Sequence, residues 1–252
     1  YASGGFYPYE IDQSLRFNND DSAYLSRTPA STGNRKTWTW SGWVKLGNIS
    51  NRNTLFATQY TNGNSTTLWI DQNIKVNQVG PSGFQLYLQS DAVLRDASAW
   101  YHIVLLMDTT QATTSDRTKI WVNGQEQSLT GVSGSSYPAQ NLETHVNELS
   151  EPHYLGCEDI NILGGVVRFF DGYMAEVNFI DGQALDATDF GEFKSGVWIP
   201  KSYSGTYGTN GFYLDFGNSG SLGADSSGNG NNWTPTNLAS TDQMLDSPTN
   251  NF

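Results

Sequence analysis

Three groups of residues in this chain could do chemistry: carboxylates, Asx-rich turns and aromatic rings. Carboxylates would serve hydrolysis of a glycosidic bond, which needs two of them facing each other across a cleft. Glu176 lies mid-strand with Asp171 and Asp181 at the strand's ends, and neither spacing suits such a pair. Glu158 and Asp159 are adjacent, so an extended backbone points them to opposite faces. All of these acids read as structural or solvated. There is no Gly-x-Ser-x-Gly, His-Glu-x-x-His or phosphate-binding loop, which leaves hydrolase, zinc-protease and nucleotidase readings without support. His102, His145 and His153 are not at metal-ligand spacing. His102 falls in an apolar strand and is expected to be packed and hydrogen-bonded, and the other two to be solvated.

Asx-rich turns would serve a hard cation such as calcium, which takes several oxygens from Asp, Asn and backbone carbonyls. Asp225, Asn229 and Asn231 offer side-chain oxygens among flexible glycines, and the Asn19-Asp20-Asp21 turn is a second candidate. The same residues also suit ordinary Asx turns. Aromatic rings would serve sugar binding, by stacking beside Asn, Asp or Gln side chains. Trp43, Tyr60, Trp69, Tyr87 and Tyr137 are the candidates. For each ring the competing fate is core packing or cover by a loop. Any binding surface is expected in the loops 60–66, 130–152 and 225–233.

Composition limits the partners. Among 252 residues, 13 Lys and Arg stand against 25 Asp and Glu, a formal net charge of -12. No basic cluster exceeds Arg35-Lys36, so a nucleic-acid backbone or an anionic membrane surface is not an expected partner. No apolar run is long enough for a transmembrane helix. Cys157 is the single cysteine, so no intrachain disulfide forms. The first residues carry neither a signal-peptide pattern nor a Met, which reads as a trimmed or processed chain.

The elements that must position these residues are strands. In Thr37–Lys45, Trp38, Trp40, Gly42 and Val44 alternate with Thr39, Ser41 and Trp43. That is period two, with the first set facing the core. Gly42 leaves room for a bulky neighbour such as Trp100, and Trp43 is either covered or left out for a ligand. Trp100–Met107 is nearly continuously apolar and reads as a central strand covered on both sides. Phe84–Leu88 alternates, and the core face of Tyr173–Ile180 is expected to be Tyr173, Ala175, Val177 and Phe179. Asn62-Gly63 and Asn123-Gly124 are hairpin turn signals. Residues 130–152 form a long polar loop, expected to be functional or mobile. Asp186–Phe190 reads as a capped helical turn, and no helix–strand alternation supports a parallel α/β fold. The expected fold is an all-β antiparallel sandwich of roughly a dozen strands. Two parts are expected: the sandwich over 1–195, and an extension over 196–252 that completes it or leads to a further module.

The ordered set Ser14-Leu15-Arg16-Phe17, Trp40-Ser41-Gly42-Trp43-Val44-Lys45, Trp100-Tyr101-His102-Ile103-Val104, Lys119-Ile120-Trp121-Val122-Asn123-Gly124 and Asp171-Gly172-Tyr173-Met174-Ala175-Glu176-Val177 resembles the laminin G-like branch of the concanavalin A-like jelly rolls. That resemblance implies a jelly roll, often with a calcium near one rim, and a large aromatic at Trp43 serving as structural cover. The glucanase branch of those jelly rolls carries Glu-x-Asp-x-x-Glu, which is absent here. Gly33–Ser41, Phe179–Leu185, Gly196–Pro200 and Tyr207–Leu214 resemble proteins of marine tailed bacteriophages, taken as tail-fibre or virion appendage components. The resemblance implies a virion location, other virion subunits as partners, and a host-surface glycan as ligand. The expected function is a non-catalytic adhesion module. The alternatives are a structural virion protein, forming homo-oligomers or subunit contacts through its jelly roll, and a polysaccharide-degrading enzyme.

Overall fold

The computed structural model describes residues 5–59, 63–160 and 165–251. Its centre is the tryptophan strand, Thr37–Leu46, paired along its length with Trp100–Asp108 on one side and Gly172–Asp181 on the other. These belong to a first antiparallel sheet that runs from Gln125–Glu126 through Thr118–Val122 to Ser14–Phe17 and Gln243–Met244. A second antiparallel sheet stacks on it, in the order Leu129–Gly131, Gly83–Val93, Asn73–Gly80, Ser65–Asp71, Asn53–Thr58, His153–Leu155, Tyr24–Arg27 and Thr234–Thr236. The chain is therefore an all-β sandwich, as the alternation requires. Helical structure among the described residues is confined to short 3₁₀ turns, one of them the capped turn at Ala187–Asp189. Residues beyond 196 add strands to both sheets, through Phe212–Leu214, Thr234–Thr236 and Gln243–Met244.

The tryptophan strand alternates as expected. Trp38, Trp40 and Val44 are fully buried between the sheets. A Cβ on Gly42 would lie 2.7 Å from Cη2 of Trp40, so the space at Gly42 is filled by a ring of its own strand and not by Trp100. Trp43 and Trp100 lie on the opposite face, in a second apolar layer with Trp121, Phe190 and Trp198. Segments before and after the central strands supply the cover. Ile11 packs there from the amino-terminal side, and the hairpin Gly191–Lys194/Val197–Pro200 brings Trp198. Ser195 and Gly196 turn that hairpin with φ of 52° and 82°, the left-handed pair a two-residue turn demands. Asn123 and Gly124 do the same at 47° and 76°.

Trp198 Nε1 donates to His102 Nδ1 at 3.1 Å, which makes Nδ1 the unprotonated nitrogen and leaves Nε2–H to donate to Ser41 Oγ at 2.9 Å. Burial drives the His102 pKa down to about 3. His153 is buried too, contrary to expectation, with Nε2 accepting from the Asn147 backbone N at 3.0 Å. The long loop is anchored at the sandwich rim. Thr144 and Asn147 are buried, Trp38 Nε1 donates to Thr144 Oγ1 at 3.0 Å, and Asn147 Nδ2 donates to Asp181 Oδ1 at 3.0 Å.

The strand Gly172–Asp181 departs from its expected pattern. Its pairing passes from Ala175↔Trp43 to Asn178↔Ser41, so Glu176 and Val177 together face Gly42 in a β-bulge. Met174, Val177 and Phe179 face the sandwich core, while Ala175 and Ile180 face the second layer. The expected core positions Tyr173 and Ala175 are corrected by this one extra residue. Glu176 holds the left-handed φ of 51°. Its carboxyl is buried, with Oε2 2.8 Å from Tyr9 Oη and Oε1 2.6 Å from Tyr213 Oη, while the two hydroxyls lie 3.0 Å apart. Three contacts among these oxygens need three protons, and the two phenols supply only two. A protonated carboxyl closes the ring. Desolvation accordingly raises the Glu176 pKa from 4.5 to about 7.

The ends of the described chain are stitched together at one corner. Ile11 N donates to Thr249 Oγ1 at 2.9 Å, and Ser14 Oγ to the Asp246 carbonyl at 2.6 Å. Asp246 also receives Lys45 Nζ at 2.7 Å and Trp100 Nε1 at 3.0 Å.

A raised carboxyl pKa favours the folded state below its unfolded value and is a growing cost as pH climbs through the folded one. Glu176 thus destabilises the fold between about pH 4.5 and 7, to an extent of about 3 kcal/mol at 1.36 kcal/mol per unit. Denaturant melts of Glu176→Gln at pH 5 and pH 8 are expected to show a smaller loss of stability across that range than the parent. Equal losses in the two proteins would remove Glu176 from the account.

Candidate functional site

The outer face of the second sheet gathers aromatic and polar side chains that the sandwich core does not use. Its geometry begins with a second bulge. Gln78 pairs with Leu86 but Val79 pairs with Phe84, so Gln85 has no opposite residue. Gln85 folds over Gly80, where a Cβ would lie 2.6 Å from its Cδ, and its Oε1 accepts from Gln78 Nε2 at 2.8 Å. Strict alternation would place Phe84 with Leu86 and Leu88 in the core. The bulge instead re-aims it outward, beside Tyr87. Phe84 is 48% exposed, and its ring centroid lies 4.8 Å from that of Tyr87. Tyr87 in turn lies 5.6 Å from Trp69, and the Arg52 guanidinium covers Trp69 at 3.8 Å.

Asn77 stands directly across from Tyr87 on one side and Thr67 on the other. It is 7% exposed, yet its Oδ1 has no hydrogen-bond partner. Buried amide oxygens are normally paired, so an unpaired one beside the aromatic rings sets this position apart. Further along this face, Glu158 pairs with Arg52 and, at 3.0 Å, with Arg168. Asp159 Oδ2 accepts from Tyr154 Oη at 2.9 Å and Gln59 Nε2 at 2.7 Å, while its buried Oδ1 is unpaired. Lys75 is tied to Asp71 at 2.7 Å.

Of the rings singled out from sequence, the structure brings Trp69 and Tyr87 together, with different tasks. Trp69 is 1% exposed, so it supports Tyr87 and offers no open face. Trp43 is 5% exposed beneath the second apolar layer, its ring 4.9 Å from His102, and is withdrawn as a ligand platform. Tyr137 is half-buried in a separate groove of about 340 Å³ with Lys119, Glu126 and Leu129. Tyr60 lies outside the described residues. Phe84 and Asn77 were not legible as a site. Their signal depends on a bulge and on a missing partner, and neither is written in residue order.

The Asx-rich tail is a hydrogen-bonded lock. Asp225 Oδ1 accepts from the backbone N of Tyr213 and of Ser227, both at 2.9 Å, and its Oδ2 from Ser227 Oγ at 2.9 Å and Asn231 N at 2.8 Å. Asn229 Nδ2 donates to the carbonyls of Gly208 and Gly211, and Asn231 Nδ2 to those of Thr209 and Gly211. The Arg27 guanidinium occupies Asn231 Oδ1. The Asp225 and Asn231 oxygens are thus taken by donors, with an arginine beside them, which does not suit a hard cation. At the other candidate, Asp21 Oδ2 accepts from Asn18 Nδ2 at 2.7 Å, and the charge of Asp20 adds to burial in raising the Asp171 pKa. Among the described residues, no three His, Cys, Asp or Glu side chains converge as a metal ligand set.

With this geometry in hand, comparison with known proteins defines the class. Residues 17–189 match the family model described as the concanavalin A-like lectin/glucanases superfamily, and the chain belongs to that family. No curated protein sequence matches it. Among solved structures, it is similar to a putative carbohydrate binding protein from Bacteroides ovatus, at 18% identity and a TM-score of 0.58, over 91% of this chain and 59% of that one. It is also similar to the heptameric SAP-like pentraxin of Limulus polyphemus, at 16% identity and a TM-score of 0.50, over 69% of this chain and 78% of that one. These likenesses are of fold.

Asp225→Ala removes four accepted hydrogen bonds and is expected to cost about 2 kcal/mol. The parent's melting temperature is expected to be the same in calcium and in chelator. A calcium-dependent rise in melting temperature that this substitution abolishes would make the lock a metal site after all.

Proposed function

We propose that this chain is a non-catalytic carbohydrate-binding module of a bacteriophage appendage, displayed on the virion to hold a glycan of the host surface. One observation carries the carbohydrate reading: the half-open rings of Phe84 and Tyr87 beside the unpaired Oδ1 of Asn77. Rings supply a flat apolar contact and the amide supplies orientation, the usual composition of a small-ligand site. Membership in a lectin and glucanase superfamily supports it, as does the fold shared with the Bacteroides ovatus putative carbohydrate binding protein. The phage setting is supported by the sequence segments that resemble marine phage appendage proteins.

Binding is favoured over hydrolysis by how the buried carboxylates are engaged. Glu158 is held by two arginines, Glu176 by two tyrosines in the other sheet, and Asp181 by the backbone N of Asn34 and Asn210 at the rim. No two of these face each other across a cleft as a glycosidase pair must. A second reading, a structural virion protein, is favoured by a different patch. Phe193 and Val197 are 52% and 48% exposed on the covering hairpin, beside Lys194 and the 43% exposed Phe6.

An array of bacterial surface polysaccharides and defined oligosaccharides is expected to give a discrete set of bound glycans without release of reducing ends. Tyr87→Ala is expected to weaken the strongest by about tenfold, as loss of an aromatic anchor does. A blank array, with and without calcium, would end the carbohydrate reading. A stable oligomer broken by Phe193→Ser would then favour the structural one.

A further inference from the structure

The charges around Phe84, Tyr87 and Asn77 narrow the ligand further, provided the carbohydrate reading holds. We infer that this surface takes a neutral, hydroxyl-rich glycan and discriminates against sialic-acid and uronic-acid sugars. The cations on this face are already engaged: Arg52 and Arg168 by Glu158, and Lys75 by Asp71. Arg52 is further fixed by its seat on Trp69. A carboxylated sugar could recruit one of them only by breaking an existing ion pair, and the carboxylate so released would be left without its counter-charge.

Of the groups that lack partners, Asn77 Oδ1 and Asp159 Oδ1 ask for donors and Arg52 Nε asks for an acceptor. Asn77 Oδ1 and Asp159 Oδ1 are both buried acceptors with nothing bound to them. A hydroxyl group can serve either kind, whereas an ionised carboxylate can only accept and would meet the two acceptors oxygen to oxygen. Asp159 adds to this face an acid whose hydrogen-bond partners, Tyr154 and Gln59, are both neutral. The chain's formal net charge of -12 opposes acidic ligands at longer range as well. Local pairing, donor demand and overall field therefore select the same ligand class.

The test is titration calorimetry with matched oligosaccharides, neutral against sialylated or uronate-containing, at low and high salt. Neutral ligands are expected to bind about tenfold more tightly, the worth of one well-placed polar contact, and with little salt dependence. Asn77→Ala is expected to lose roughly tenfold toward the neutral ligand. Asn77→Asp keeps the size and one acceptor but adds charge, so it is expected to weaken the binding of acidic sugars further. Near-ultraviolet circular dichroism checks that both variants retain the fold. Tighter binding of acidic sugars at low salt would overturn this inference and leave the carbohydrate reading standing. Unchanged neutral binding in a folded Asn77→Ala would overturn the role given to Asn77, and the inference with it. Failure of both ligand classes to bind would remove the carbohydrate reading itself.

Discussion

A strand with tryptophan on both faces cannot sit in a sheet that is wet on one side. Trp38 and Trp40 satisfy one face inside the sandwich, but Trp43 on the other face would expose a large apolar ring. The second apolar layer answers that requirement, and much of the chain outside the sandwich core follows from it. Residues near 11 and from 187 to 198 are drawn onto the outer face of the first sheet. Their arrival buries His102 and holds it neutral. The outer face of the second sheet is left with the polar residues and the open rings.

The two sheets thus divide their tasks by what covers them. On the first, polar groups beneath the cover are paired internally, as Ser41, His102 and Trp198 are. On the second, Asn77 and Asp159 keep unpaired oxygens. An unpaired buried acceptor costs stability. Bulges accompany both arrangements. One sets Glu176 into its hydroxyl ring, and the other turns Phe84 outward.

How much of this was legible in residue order follows from period two. Where the strand is regular, alternation reads correctly: the faces of Thr37–Leu46, the two-sided burial of Trp100–Asp108, and the left-handed Asn123-Gly124 turn all follow from sequence. Where a bulge inserts one residue, every later side chain changes face, and alternation places Tyr173, Ala175 and Phe84 on the wrong one. His153 and the 130–152 loop misled for another reason. Polar composition suggested solvent, but Thr144, Asn147 and His153 hydrogen-bond one another or the rim, a long-range pairing that local sequence does not encode. The Asx-rich tail was ambiguous between cation and turn because the same oxygens serve both.

The stitch between Ile11 and Ser247–Thr249 bears on how the molecule carries force. Tension applied at Ile11 and Thr249 converges on a single corner, where hydrogen bonds from the Ser247 and Thr249 hydroxyls to the Ile11 carbonyl bear the load. The ion pair of Lys45 with Asp246 then links that corner directly to the tryptophan strand. Until the stitch opens, the sheet carrying Tyr87 and Asn77 lies off the load path. A force that parts the segments near Ile11 and Thr249 would therefore strain this corner before it deformed the second sheet.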